Sequence, residues 1–271
     1  MARIVLTAFE SRTDAIALAN TVVDVLRADG HDADLHHLSE DFSVHPESPD
    51  SLIVSLGGDG TFLRAARLAH SSTCAVMGVN LGRVGFLLPV EPGQIYSAIE
   101  NALSDQRRTE QRVALRVTSP DCQFDSFALN EVVLERSLPG HMVRVQTFID
   151  GDEFLTYSAD GVLVSTPTGS TGYNFSAGGP VVSQELSVMV LTPIAPHFTI
   201  DRSIVVGSHQ EIVMRTLDRG AAIVTDGSHA GSIESGESVV ITRDPVGVTV
   251  VLPQQSGIGS RLRASLREGH A

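Results

Sequence analysis

The chain has 271 residues, 42% of them hydrophobic, which is enough for packed cores in one large domain or two ordinary ones. A formal net charge of −13 excludes binding to nucleic acid or acidic membranes through general basicity, so any polyanion must be met by a local site. All 19 basic residues are arginine, which excludes a Walker lysine, a protein-kinase lysine and a Schiff-base lysine.

No apolar run approaches bilayer length, and the chain opens directly into the strand-like Arg3-Ile4-Val5-Leu6 without a signal-peptide pattern, so a cytoplasmic location is expected. Cys74 and Cys122 form neither a disulfide framework nor a zinc pattern, and His36-His37 reads as surface decoration.

Residues 1 to about 105 alternate between strand and helix. Arg3 to Ala8 predicts a strand, and Ala15, Ile16, Leu18, Ala19, Val22, Val25 and Leu26 recur at helical spacing until Gly30 closes the segment. A strand follows at Ala33 to Leu38. The apolar run 52–56, a helix over 61–69 and the strand Cys74 to Val79 then form a βαβ unit, and Ile95, Ile99 and Leu103 mark a last helix over 92–103. Continuous apolar strands joined by helices imply a parallel, Rossmann-like sheet covered on both faces, with ligands beyond the carboxyl ends of the strands.

From about residue 112 the helical period gives way to short strand-like runs at 113–118, 127–134, 143–149, 154–157, 162–165, 188–192, 203–206, 211–215, 221–225, 238–242 and 247–252. Asp150-Gly151 is a hairpin turn between two of them. The expected architecture is therefore an α/β domain over 1–111 and an antiparallel all-β domain over 112–255. Gln106 to Arg112 reads as the crossover, and 256–271, with a helix at Arg261 to Glu268, as a segment returning to the first domain.

Four segments carry chemistry. Gly57-Gly58-Asp59-Gly60-Thr61 lies between a strand and a helix, where glycine permits positive φ and close approach of a ligand, and the first helical amides favour an anion. Asp59 is then either a helix cap or a reactive carboxylate beside phosphate. Asn80-Leu81-Gly82-Arg83-Val84-Gly85-Phe86-Leu87 follows the next strand and forms a second glycine turn beside the first, with Arg83 as a phosphate contact or a solvated arginine.

Asn130-Glu131 interrupts the apolar run 127–134. Strand alternation sends the two side chains to opposite faces unless one lies at a strand end or bulge, where they could hold ribose hydroxyls or an adenine edge. The alternative is a polar pair on an exposed edge. Last, Asp160 to Pro180 follows a short strand with repeated glycines and hydroxyls, offering small donors to phosphate or ribose with room for a ring. Ser170 lacks the nucleophile elbow and the His and Asp partners of an acyl-transfer site.

Taken in order, Gly57 to Thr61, Asn80 to Leu87, Asn130-Glu131, Asp160 to Pro180 and Thr192-Pro193-Ile194-Ala195-Pro196-His197 resemble the ATP-NAD kinase family. Its members transfer the γ-phosphoryl group of ATP, or of another donor, to the adenosine-ribose 2′-hydroxyl of NAD to give NADP. The resemblance covers most of the chain. It implies an NAD site in the cleft between an α/β domain and a β domain that carries most of it, in a homodimer or homotetramer.

By position it makes Asp59 the catalytic base. Asp59, Gly60, Arg64, Asn130, Glu131, His141, Asp160, Thr171, Gly172, Tyr173, Asn174, Phe175 and Ser176 become contacts to NAD, and Gly57, Gly58, Thr61, Asn80, Gly82 and Arg83 line the phosphate loop. No side chain is assigned as a metal ligand, and a divalent cation, Mg²⁺, is expected to arrive with ATP. The chain departs from the family pattern at Gly172, where alanine is common, at Ser158, where a basic residue is frequent, and at Ser228, where glutamine often follows Asp226 and Gly227. The GGDGT turn also resembles lipid and sphingoid kinases, but no basic amphipathic stretch suits a membrane surface. A nucleotide sensor without turnover would not require Asp59.

Overall fold

The computed structural model describes residues 3–38, 51–82, 87–104, 107–138, 140–253 and 259. Among these residues no helix is long and apolar enough to cross a membrane. The chain divides into two compact units: unit 1 holds the residues as far as Arg112 and those from Val248 onward, and unit 2 holds Val113–Gly247.

Unit 1 begins with β1 (Arg3–Phe9), α1 (Thr13–Ala28), β2 (Asp32–Leu38), β3 (Leu52–Gly57), α2 (Asp59–Ser72), β4 (Ala75–Asn80), α3 (Ile95–Leu103) and β5 (Arg108–Arg112). Unit 2 follows with β6 (Leu115–Ser119), β7 (Phe124–Ala128), β8 (Glu131–Arg136), β9 (Val143–Ile149), β10 (Asp152–Ala159) and β11 (Gly161–Ser165). It continues through the short helix α4 (Tyr173–Ser176), β12 (Val188–Ile194), β13 (Ile204–Gly207), β14 (Ile212–Thr216), β15 (Ala221–Thr225), β16 (Ser228–Ile233) and β17 (Ser238–Arg243). The chain then returns to unit 1 as β18 (Val248–Leu252).

The unit 1 sheet has the order β2-β1-β3-β4-β18-β5, and every neighbouring pair is parallel except β18 with β5. β3 is buried along its whole length, as a strand covered on both faces must be. In α2 the buried positions Thr61, Phe62, Ala65, Ala66, Leu68, Ala69 and Ser72 recur at helical spacing and form the face turned to the sheet.

Unit 2 is a sandwich of two antiparallel sheets, β10-β9-β14-β17-β6-β7 and β13-β12-β11-β8-β15-β16. Alternate residues of both, including Leu115, Val132, Leu134, Val145, Tyr157, Val162, Val164, Ile223 and Ile241, close on one core. The predicted hairpin turn is present, with Asp150 and Gly151 at φ 51° and 84° between the paired Ile149 and Asp152.

Several elements differ from the sequence reading, among them β16, which it did not identify. Residues 247–252 were expected in the β domain, but β18 lies between β4 and β5 of the α/β sheet. Val248, Val250, Val251 and Leu252 are all buried there, and it is pairing with β4 and β5, not the strand's own pattern, that covers them. The crossover 106–112 contains an edge strand, β5, whose polar sequence Arg-Thr-Glu-Gln-Arg hid its pairing. The single strand expected over 127–134 is two: β7 ends at Ala128 in one sheet and β8 begins at Glu131 in the other. The expected terminal helix at 261–268 lies outside the described residues.

Candidate functional site

In unit 1 the sequence reading meets its geometry at the carboxyl ends of β3 and β4. The two strands are parallel neighbours with Gly57 opposite Asn80, so the loops that follow them start side by side. The Gly58 carbonyl accepts the Thr61 and Phe62 amides at 3.0 and 3.1 Å, which starts α2 and places Asp59 in its first turn, where the helix dipole favours negative charge. The Leu87 amide donates to Asp59 Oδ1 at 3.3 Å.

Positive φ does not explain the glycines here, contrary to the sequence reading: the positive-φ glycines of the described chain lie elsewhere, and Gly58 is extended. Small size is required at Gly57. A Cβ on Gly57 would overlap the Thr61 side chain, while Cβ positions on Gly58, Gly60 and Gly82 meet nothing within 4 Å, leaving bare backbone accessible.

Asn80 and Thr61 are buried. Asn80 Oδ1 accepts the Gly82 amide at 3.1 Å, and the Leu81 amide donates to the Gly57 carbonyl at 3.0 Å, so Asn80 shapes the second loop and ties it to the first. Arg64 stacks its guanidinium 5.4 Å from the Phe9 ring centre. Arg12, absent from the sequence reading, reaches the Leu81 carbonyl at 3.1 Å while paired with Asp14. Arg83 lies outside the described residues.

In unit 2 the passage from β7 to β8 solves the alternation problem. Glu131 is the first residue of β8 and Asn130 precedes it outside any strand, so neither is forced to the face that strand periodicity would dictate. Both side chains are buried, with 9% and 6% of their surface exposed, and Asn130 Oδ1 and Glu131 Oε2 have no hydrogen-bond partner among the described residues. Burial, and secondarily the charge of Asp226, push the Glu131 carboxyl up to about 8, opposed by the Tyr173 amide that donates to it.

The glycine-rich loop folds over this pair. The Thr166 amide donates to the Asn130 carbonyl at 2.9 Å and its hydroxyl to the Leu129 carbonyl at 2.6 Å. A Cβ on Gly169 would overlap the Asn130 backbone. One on Gly172 would stand 3.3 Å from Glu131 Oε2 and 3.5 Å from Asn130 Nδ2. Tyr173 is 40% exposed. Burial first, then the charges of Glu135, Asp160 and Glu131, raise its phenol pKa.

Other residues that the resemblance placed in the site have structural partners. Asn174 is fully buried, donates to the Ser170 and Pro180 carbonyls at 3.2 and 3.0 Å and accepts the Thr192 hydroxyl at 2.7 Å, so its side chain holds the loop closed. Thr171 donates to the Thr168 carbonyl at 3.4 Å, and Phe175 and Ser176 are exposed. Asp160 pairs with Arg136 at 3.1 Å, at the opposite end of β8 from Glu131 and ~16 Å along the strand. His141 lines a separate cleft of about 360 Å³ with Arg136, Arg219 and Glu234.

Residues 1–107 match the model of the ATP-NAD kinase N-terminal domain and residues 129–251 that of the ATP-NAD kinase C-terminal domain. NAD kinase of Moorella thermoacetica is 39% identical over 221 residues, which cover 80% of this chain and 71% of the relative. The chain belongs to the ATP-NAD kinase family. A second member, from Heliobacterium modesticaldum, is 37% identical over 83% of this chain and 84% of its own length.

Among solved members, an Archaeoglobus fulgidus NAD kinase in complex with ATP superposes with a TM-score of 0.75 at 27% identity, covering 97% of this chain and 99% of that one. Yeast NADH kinase complexed with NADH gives a TM-score of 0.82 over 97% of this chain and 86% of that one, a likeness of fold at 22% identity. Family membership thus spans both units, the α/β unit with Asp59 and the β sandwich with Asn130 and Glu131.

Proposed function

We propose that this chain transfers the γ-phosphoryl group of ATP to the adenosine-ribose 2′-hydroxyl of NAD. The observation that carries the reading is the pair of buried acceptors Asn130 Oδ1 and Glu131 Oε2, which meet no donor among the described residues. Buried acceptors without donors are costly, and the hydroxyls of a ribose or the amino edge of an adenine would satisfy them. Gly172 leaves the space beside them open, and Tyr173 offers an exposed aromatic face. In this reading Thr171, Phe175, Ser176 and Asp160 complete the dinucleotide's surroundings. Asn174 acts through the loop instead, and His141 and Arg64 serve NAD only at its periphery.

Asp59 receives the proton. A ribose hydroxyl is not deprotonated in the ground state by a carboxylate of ordinary pKa ~3.9, so the proton passes to Asp59 as the bond from O2′ to the γ-phosphorus forms and the bond to the β,γ-bridging oxygen breaks, releasing ADP. In this reading the bare backbone at Gly58, Gly60 and Gly82 meets the phosphates. The divalent cation, Mg²⁺ in this proposal, arrives on the ATP phosphates as part of the substrate. The cation neutralises charge that a lysine-free chain would otherwise meet with arginine alone. Cytoplasmic location and a homodimeric or homotetrameric assembly complete the proposal.

The test is direct. Purified protein is incubated with NAD, ATP and Mg²⁺, and any NADP is coupled to an NADP-specific dehydrogenase, with a donor panel of other nucleoside triphosphates and polyphosphate. NADP formation dependent on all three components is expected. Tight NAD binding without NADP would make the protein a sensor, and phosphorylation of diacylglycerol or a sphingoid base instead would make it a lipid kinase.

A further inference from the structure

A second acidic residue lies against the Asn130-Glu131 pair with no assigned role. Asp226 and Gly227, at φ 49° and 74°, form the two-residue turn between the paired Thr225 and Ser228 of β15 and β16. The Asp226 carboxylate accepts three successive amides: Leu129 at 2.9 Å, Asn130 at 2.7 Å and Glu131 at 3.3 Å. Its own amide donates to the Glu131 carbonyl at 3.0 Å. These are the residues where the chain leaves one sheet for the other. Buried amides at such a crossing still need acceptors. Asp226 supplies them from one neighbouring element, and Thr166 binds the Leu129 and Asn130 carbonyls from the other.

We propose that Asp226 is the positioning residue of the site, its carboxylate fixing the backbone of Leu129 to Glu131 so that the Asn130 and Glu131 side chains stand preformed as acceptors for the adenosine part of NAD. The inference rests on the reading of that pair given above. It makes Asp226 an outer partner of the ligand, acting through the backbone of the residues that would touch NAD. Charge-assisted hydrogen bonds of this kind are the strong ones, and three on consecutive amides leave the crossing one geometry.

The same carboxylate, second to burial, raises the proton affinity of Glu131. The titratable groups facing Glu131 are Asp226, from the β15–β16 turn, and Tyr173, from the glycine-rich loop; Glu135 and the Arg136–Asp160 pair lie at the far end of β8. Of these, Asp226 raises the Glu131 pKa and the Tyr173 amide lowers it.

The test uses the full chain as wild type, Asp226→Asn and Asp226→Gly. Asn-Gly and Gly-Gly both suit a turn with two positive φ values, so the hairpin is retained while the carboxylate is lost. Loss of charged hydrogen bonds should raise the Kd and KM for NAD by about 10- to 100-fold, with the KM for ATP within about twofold of wild type. The ionised Glu131 is the acceptor in this reading, so removing the Asp226 charge should lower its pKa and move the acid limb of kcat/KM for NAD to lower pH in both variants. Unchanged NAD affinity and pH limb in a folded variant overturn the proposal. So do equal losses for NAD and ATP with an unmoved limb, or failure of both variants to fold, since each leaves Asp226 a general structural residue. A wild type that binds no NAD removes the reading on which the inference rests, and the inference with it; equal NAD binding by wild type and both variants removes the inference alone.

Discussion

Replacing Glu131 by glutamine isolates the cost of keeping an acid in this pocket. Burial, followed by the Asp226 charge, raises its pKa from 4.5 to about 8. The folded state therefore holds this proton to higher pH than the unfolded chain. Its contribution to stability is fully present below pH 4.5, declines as pH rises towards 8 and is lost above that. At ~1.4 kcal/mol per pKa unit, the ionisable side chain costs about 3 kcal/mol at pH 7 and about 5 kcal/mol above pH 8. Glutamine has nearly the same shape and no charge, so Glu131→Gln should be more stable than wild type by roughly these amounts and nearly equal to it at pH 4.5. Urea unfolding followed by circular dichroism at pH 5, 7 and 8.5, without NAD, measures the difference. A stability difference that is the same at all three pH values would refute the assignment of a strained acid at this position.

Three further outcomes follow from the geometry. Asp59→Asn should lose ~10²–10⁴ in turnover while NAD affinity by calorimetry stays near wild type, and near-normal turnover would remove Asp59 from the base role. Asn174→Ala breaks three buried hydrogen bonds and should cost about 3 kcal/mol with a clearly lower Tm; a selective loss of NAD affinity at unchanged Tm would instead make Asn174 a direct ligand contact. Gly169→Ala forces a methyl into the Asn130 backbone and should destabilise by ~2 kcal/mol or more and weaken NAD binding. Gly172→Ala, whose methyl would stand 3.3 Å from its nearest neighbours, should fold normally; equal behaviour of the two variants would contradict the packing described here.

Local signals made much of this protein legible. β3 is six residues of uninterrupted burial, and α2 carries its apolar residues at helical spacing, so period and position alone put Asp59 at a strand-to-helix junction. Asp150-Gly151 was readable as a hairpin turn because dipeptides of that kind favour positive φ. Asp226-Gly227 carries the same signal and went unread as a turn, since the polar Ser-His-Ala-Gly-Ser-Ile that follows does not look like a strand. Partner choice was not legible. Nothing local distinguishes β18 from the strands of the sandwich, because a strand's sheet depends on which surface buries it and not on its own pattern.

The sequence by itself determined the order of motifs, the division between α/β and β architectures and the presence of an acid at a phosphate-shaped turn, since these depend on periodicity and on residue types close together in the chain. Tertiary structure decided what the Asn130-Glu131 pair is. The break between β7 and β8, the glycine-rich loop over the pair and the Asp226 carboxylate against its amides come from segments ~35 to 100 residues apart, and only their packing leaves two acceptors buried without donors. Desolvation and hydrogen-bond satisfaction belong to the assembled environment, so no reading of neighbouring residues could supply them.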